Sequence, residues 1–185
     1  MEENSTLNKP ILGIAAYSGT GKTTLLTHLI PALLERGVRV GVIKHAHHKL
    51  EIDTPGKDSY ELRKAGAHQM LVASRHMWAL MKETPNQDEP QLEDLVQQLE
   101  LDQRELVLVE GFKQGRFPKI DLHRPATRKP LIYPNDDTIV AIASDAVLNT
   151  ATDLPQLDMN DPARIADFII GYLKLTPGSD SSVVS

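Results

Sequence analysis

The sequence predicts an α/β protein with a mostly parallel, mixed sheet flanked by helices. Three observations predict it. Short β-rich runs alternate with segments of helical periodicity, the pattern of βα units. The apolar runs are four to seven residues long and bounded by turn residues, as buried strands are. A glycine-containing turn joins the first strand directly to the first helix, a junction that parallel α/β sheets use for binding.

The elements follow in order. ILGIAAY (11–17) reads as a buried first strand. From Lys22 onward, Leu25, Leu26, Leu29, Ile30, Leu33 and Leu34 recur at helical spacing, with Gly37 as the stop and Pro31 as a kink or a lost hydrogen bond. VRVGVIKH (38–45) is a second strand and SYELRKAG (59–66) a short helix. QMLVAS and HMWALMKE (69–74, 76–83) are too close for a crossover, so they form an antiparallel hairpin and make the sheet mixed. QLEDLVQQL is a helix, ELVLVEG (105–111) a buried central strand, PKIDLHR (118–124) an alternating strand and TIVAIASD (138–145) a last buried strand. Asp161 and Pro162 open a terminal amphipathic helix marked by Ile165, Phe168, Ile169, Tyr172 and Leu173.

At 185 residues the chain suits one domain, placed at 10–175, between a flexible N-terminus (1–9) and a flexible polar tail (176–185). No apolar run approaches the ~20 residues that cross a bilayer, which predicts a soluble, cytoplasmic protein without a membrane partner. The absence of cysteine removes disulfides, thiolate metal sites and cysteine nucleophiles. The formal net charge of -5 argues against a nucleic-acid partner. Its distribution is uneven: 83–110 holds nine acids against one base, whereas 113–130 holds six bases against one acid and 36–75 eight bases against four acids. The basic segments are either solvated faces or the frame of an anionic ligand.

Residues 16–23 meet the pattern G-x-x-x-x-G-K-[ST] except that Ala16 stands in the first position. Strand, glycine turn, then helix is the setting of a P-loop NTPase domain. Ser18, Gly19, Thr20 and Gly21 let backbone N–H groups converge on a phosphate at the positive helix end; Lys22 supplies a mobile cation and the Thr23 hydroxyl a Mg²⁺ ligand, with Thr24 at the same helix start. An acid at the end of a buried strand completes such a site. Glu110 follows Val107-Leu108-Val109 and is either that metal-side, catalytic acid or an ordinary strand-end carboxylate. His45, His47 and His48 follow the second strand; solvation, a zinc site lacking a defined fourth ligand, or contact with a phosphate or pterin-like ligand each account for them. Asp53 is a switch-type metal residue or a turn aspartate. Asp145 emerges at the carboxyl end of a buried strand, the edge where open α/β sheets bind ligands, and is either a ligand contact there or an aspartate that accepts from nearby loop amides.

AYSGTGKTTLL, VIKHAHH, TPGKDSYELRKAGA, VEGFK and PKIDLHR, in this order over about residues 10–145, resemble the MobB family of molybdopterin-guanine dinucleotide biosynthesis adapter proteins. The histidine and GKDS stretches are not general P-loop features, so the resemblance is specific. It implies GTP and Mg²⁺ binding, weak intrinsic GTPase activity, a homodimer, and partnership with the guanylyltransferase that joins GMP to molybdopterin. No Asn-Lys-x-Asp or Thr-Lys-x-Asp stretch marks guanine preference, and no glutamine or arginine is placed by sequence to speed hydrolysis. A P-loop small-molecule kinase and a non-catalytic anion-binding scaffold are the competing readings. PKIDLHR is the expected dimer strand, as an otherwise unpaired edge.

Overall fold

The computed structural model describes residues 9–46, 50, 52–84, 89–101, 105–176 and 178. They group into two compact units: one holds the described residues up to His45 and from Gln91 onward, the other is Ala46–Pro90. The stretch 10–175, treated as one domain from sequence, therefore carries an inserted unit.

The larger unit is built on a six-stranded sheet of β1 (Ile11–Ala15), β2 (Val40–Lys44), β5 (Leu106–Glu110), β6 (Lys119–His123), β7 (Ile139–Ser144) and β8 (Gln156–Asp158), in the spatial order β2-β5-β1-β6-β7-β8. Every pairing in it is parallel. Helices α1 (Lys22–Leu34), α3 (Leu92–Gln97) and α4 (Pro162–Leu173) flank it. The α/β class is as expected. The antiparallel pairing that was to make this sheet mixed lies instead in a separate two-stranded sheet, β3 (Gln69–Ala73) with β4 (Trp78–Lys82), inside the smaller unit.

A parallel sheet buries both faces, and the strands show it residue by residue. Leu106 and Leu108 join Leu12, Ile14, Leu25, Leu29, Leu33, Ile165 and Ile169 in one core; Val107 and Val109 join Ile11, Ile43, Leu92, Val96 and Phe117 in the other. Each fully buried Leu or Ile contributes about 1.5–3 kcal/mol of transfer free energy. Gly13 admits the second core: a Cβ there would come within 2.6 Å of the Phe117 ring. Helix α1 carries Pro31 without ending, since that position faces solvent, and stops where Gly37 takes a φ of 73°. The Gly37 and Val38 N–H groups donate to the Leu34 and Leu33 carbonyls at 2.9 and 3.0 Å, closing the helix end.

The expected edge position of PKIDLHR is overturned. β6 lies inside the sheet, paired to β1 and β7. Its alternating charges are buried and satisfied: Lys119 Nζ donates to Thr138 Oγ1 at 2.7 Å and to Asp136 Oδ2 at 3.1 Å, and Asp121 Oδ2 accepts the Ile132 and Tyr133 N–H groups at 2.7 and 3.0 Å. Burial pushes the Asp121 carboxyl above its usual range, against those two N–H bonds. Burial also acts upward on Asp136, but the Thr138 hydroxyl and N–H and the Lys119 ammonium together hold it below that range.

The smaller unit contains α2 (Asp58–Lys64) and the β3–β4 hairpin, turned by the Ser74 N–H donating to the Met77 carbonyl at 2.7 Å. Arg63 Nη1 donates to Glu83 Oε1 at 2.7 Å, and the Lys64 ammonium lies 5.3 Å from the Tyr60 ring centre. Leu71, Val72, Met77, Trp78 and Leu80 are exposed, and none of the unit's described residues is buried. Among the described residues no helix is long and apolar enough to cross a membrane.

Candidate functional site

Because all six strands of the large sheet run the same way, the residues that follow β1, β5, β6 and β7 emerge at one edge, where open α/β sheets bind ligands. The segment from Ala16 to Gly21 leaves β1 there and turns into α1. Two of its residues set the path: Gly19 has a φ of 80° and Gly21, the residue capping α1, a φ of 107°, a left-handed region that a side chain resists. Thr20 is buried and its hydroxyl donates to the Tyr17 carbonyl at 2.9 Å, drawing the segment into a closed loop. Ser18 and Gly19 are exposed on its outer side. Lys22 folds back over the loop, its ammonium donating to the Ala16 and Tyr17 carbonyls at 3.2 and 3.3 Å. Thr23 and Thr24 are exposed in the first turn of α1, and no side chain caps that helix. The helix start thus presents N–H groups that no side chain caps, an ammonium bonded to two loop carbonyls and the hydroxyl of an exposed threonine, and its first turn contains no acidic residue.

Glu110 ends β5 opposite Ile14 of β1 and Lys44 of β2. It is mostly buried, and its Oε2 lies 3.4 Å from the Lys44 ammonium. The chain then reverses through Gly111 and Phe112, with φ of 100° and 41°. A Cβ at Gly111 would stand 2.6 Å from that of His45, so the glycine lets the two segments touch. The His45 N–H donates to the Glu110 carbonyl at 2.8 Å and its ring meets Phe112 at 4.8 Å between centres. His45 is therefore a packed residue at the β2 terminus. His47 and His48 lie outside the described residues, and among those described no group of three or more His, Asp or Glu is arranged to hold a metal.

Asp53 belongs to the smaller unit, where its Oδ1 accepts the Thr54 N–H at 2.9 Å and the Ser59 hydroxyl at 3.0 Å, the bonds of a turn aspartate. Its Oδ2 is buried without a partner. Asp145, directly after β7, is an exposed residue with a partly covered side chain, and its Oδ2 lies 3.4 Å from Arg124 Nε. Arg124 is the residue that sequence reasoning missed. It directly follows β6, and its Nη2 stands 3.5 Å from the position a Cβ on Gly21 would take. The signal was present in its place immediately after a strand next to β1, but the basic stretch around it read as one undivided charge patch. The structure divides that patch: Lys119 is buried against Asp136, Arg116 pairs with Asp137 at the surface, and Arg124 turns to the loop.

Comparison with known proteins converges on one family. Residues 11–145 match the family model described as molybdopterin guanine dinucleotide synthesis protein B, MobB. The chain is 49% identical over 170 residues to the molybdopterin-guanine dinucleotide biosynthesis adapter protein of Escherichia coli, covering 91% of this chain and 96% of that protein. It is 47% identical over 165 residues to the protein of the same name from Haemophilus influenzae, covering 89% of each. The crystal structure of Bacillus subtilis MobB superposes with a TM-score of 0.69 at 26% identity, covering 91% of this chain and 99% of that one. The match extends over the loop, the strands and the strand ends described above, and the chain belongs to the MobB family.

Proposed function

We propose that this protein is a GTP-binding adapter with weak GTPase activity, assisting a guanylyltransferase that attaches GMP to molybdopterin. The observation that carries the reading is the loop from Ala16 to Gly21, closed around the Lys22 ammonium at the uncapped start of α1. Helix N–H groups, two left-handed glycines and one lysine suit a polyphosphate, and no carboxylate in the first turn opposes it. The residues present also suit Mg²⁺: the Thr23 hydroxyl and the Glu110 carboxylate are the oxygen donors that would hold it, where it would supply charge to the phosphate oxygens.

Slow hydrolysis follows from what the chain offers. Lys22 can stabilise charge on the terminal phosphate, but the sequence marks no glutamine that would orient the attacking water. Nucleotidyl transfer needs attack at the α-phosphorus, whereas the loop and Lys22 attend to the β and γ groups, so dinucleotide synthesis belongs to a partner. The homodimer contact is placed on the smaller unit, because a two-stranded sheet is marginal alone and Leu71, Trp78 and Leu80 gain by meeting the same face of a second copy. The test is reconstitution: purified chain with GTP, Mg²⁺ and molybdopterin should yield GDP slowly and no dinucleotide, and dinucleotide should form once the transferase is added. Robust synthesis by this chain alone would overturn the adapter reading.

A further inference from the structure

The strand order brings together three segments that are far apart in sequence: the end of the loop at Gly21, the residue after β6, and the residue after β7. Arg124 sits among them. Its Nη2 is 3.5 Å from the Cβ position of Gly21 and 3.8 Å from Met159 Sδ, and its Nε is 3.4 Å from Asp145 Oδ2. The Nε is buried, yet it makes no hydrogen bond, because the ion pair with Asp145 has the separation of one and not the geometry. Asp121 fixes the loop that leaves Arg124, through its bonds to the Ile132 and Tyr133 N–H groups. The guanidinium is thus held in place, with part of its donor capacity unspent and a carboxylate alongside.

We propose that Arg124 and Asp145 together read the guanine base, and that this pair does the work of the Asn-Lys-x-Asp stretch the sequence lacks. The inference rests on the GTP-binding reading and adds the residues that give it selectivity. Guanine presents two adjacent sets of groups: donors at N1 and the exocyclic amine, acceptors at O6 and N7. A carboxylate satisfies the first set and the arginine fork the second, the same fork-to-O6/N7 pairing by which proteins single out guanine in DNA. Adenine opposes both partners, with an acceptor at N1 facing Asp145 and an amine facing Arg124. Xanthine places an oxygen where Asp145 needs a donor, and hypoxanthine lacks the amine only. The expected order of affinity is GTP, then ITP, then XTP and ATP.

Equilibrium titration of the full-length protein with Mg²⁺ and each of the four nucleoside triphosphates tests this. Arg124→Gln should weaken GTP about 10- to 100-fold and ATP by less than about threefold. Arg124→Lys should recover only part of the loss, because a lysine keeps the charge without the fork. Asp145→Asn should weaken GTP and strengthen XTP, a gain that damage to the fold does not produce. An unchanged GTP-to-ATP ratio in Arg124→Gln, or equal losses for both nucleotides, would show Arg124 to be a phosphate or structural contact and would overturn the proposal. Failure of the wild-type chain to bind any of the four would instead refute the GTP-binding reading itself.

Discussion

Asp121 is the residue whose replacement separates charge from hydrogen bonding most cleanly. It is 1% exposed in the middle of the sheet, and one oxygen accepts both the Ile132 and Tyr133 N–H groups. Asp121→Ala removes two buried hydrogen bonds, each with a net contribution of about 0.5–1.5 kcal/mol, and leaves two N–H groups without partners at about 1 kcal/mol or more each. The expected cost is about 3–5 kcal/mol, or roughly 10 °C in Tm for a chain of this size. Asp121→Asn keeps a carbonyl oxygen that can accept both bonds and should cost less than about 1 kcal/mol near neutral pH. The pH dependence has a definite sign. Burial raises the folded-state pKa of Asp121 above the usual carboxylate value, so between those two values the native state holds more proton than the unfolded one. Stability due to this group is therefore fully present at low pH and falls as pH rises through the raised value. Urea unfolding of wild type and Asp121→Asn from pH 3.5 to 7.5 measures the difference, in which the titration of groups that do not interact with Asp121 cancels. Wild type should lose ground to Asp121→Asn as pH rises. A gain with rising pH, or equal destabilisation by Ala and Asn, would refute the reasoning.

Two further substitutions address the loop and strand ends. Gly111→Ala imposes a left-handed strain of about 1–2 kcal/mol and drives a Cβ to 2.6 Å from that of His45. With the His45 N–H bond to Glu110 also disturbed, thermal denaturation should show a loss of about 2–4 kcal/mol, and a Tm within about 2 °C of wild type would contradict the close approach. Thr23→Ala should leave the fold intact, since the residue is exposed, while reducing nucleotide affinity mainly when Mg²⁺ is present. An affinity equal to wild type both with and without Mg²⁺ would remove the hydroxyl from the metal site.

The fold was legible wherever one period dominated. Leu106 to Val109 has no polar interruption and is a strand buried on both faces, and the leucine spacing after Lys22 carried the helix past Pro31. β8 escaped notice because Gln156–Asp158 is three residues long, too short for any alternation, and is held by its pairing to β7. β6 was misplaced for a different reason. Lys119 and Asp121 imitate the solvent-facing half of an edge strand, and only the folded chain shows that Asp136, Thr138 and two backbone N–H groups meet them inside. The glycine loop with Lys22 was visible as a motif because its residues are contiguous. The Arg124–Asp145 pair was not, since its members lie on different strand ends and meet only through the order β1-β6-β7.

The central claim is that the loop from Ala16 to Gly21 holds the phosphates of GTP through Lys22. Calorimetric titration of the wild-type protein and Lys22→Ala with a nonhydrolysable GTP analogue and Mg²⁺ tests it most directly. Lys22 also ties the Ala16 and Tyr17 carbonyls, so circular dichroism should accompany the titration to show that the variant remains folded. Saturable binding of one nucleotide per chain by wild type, weakened at least about 10-fold in a folded Lys22→Ala, consistent with loss of one charge-assisted contact, is the predicted result. No binding by wild type, or equal binding by the folded variant, would contradict it.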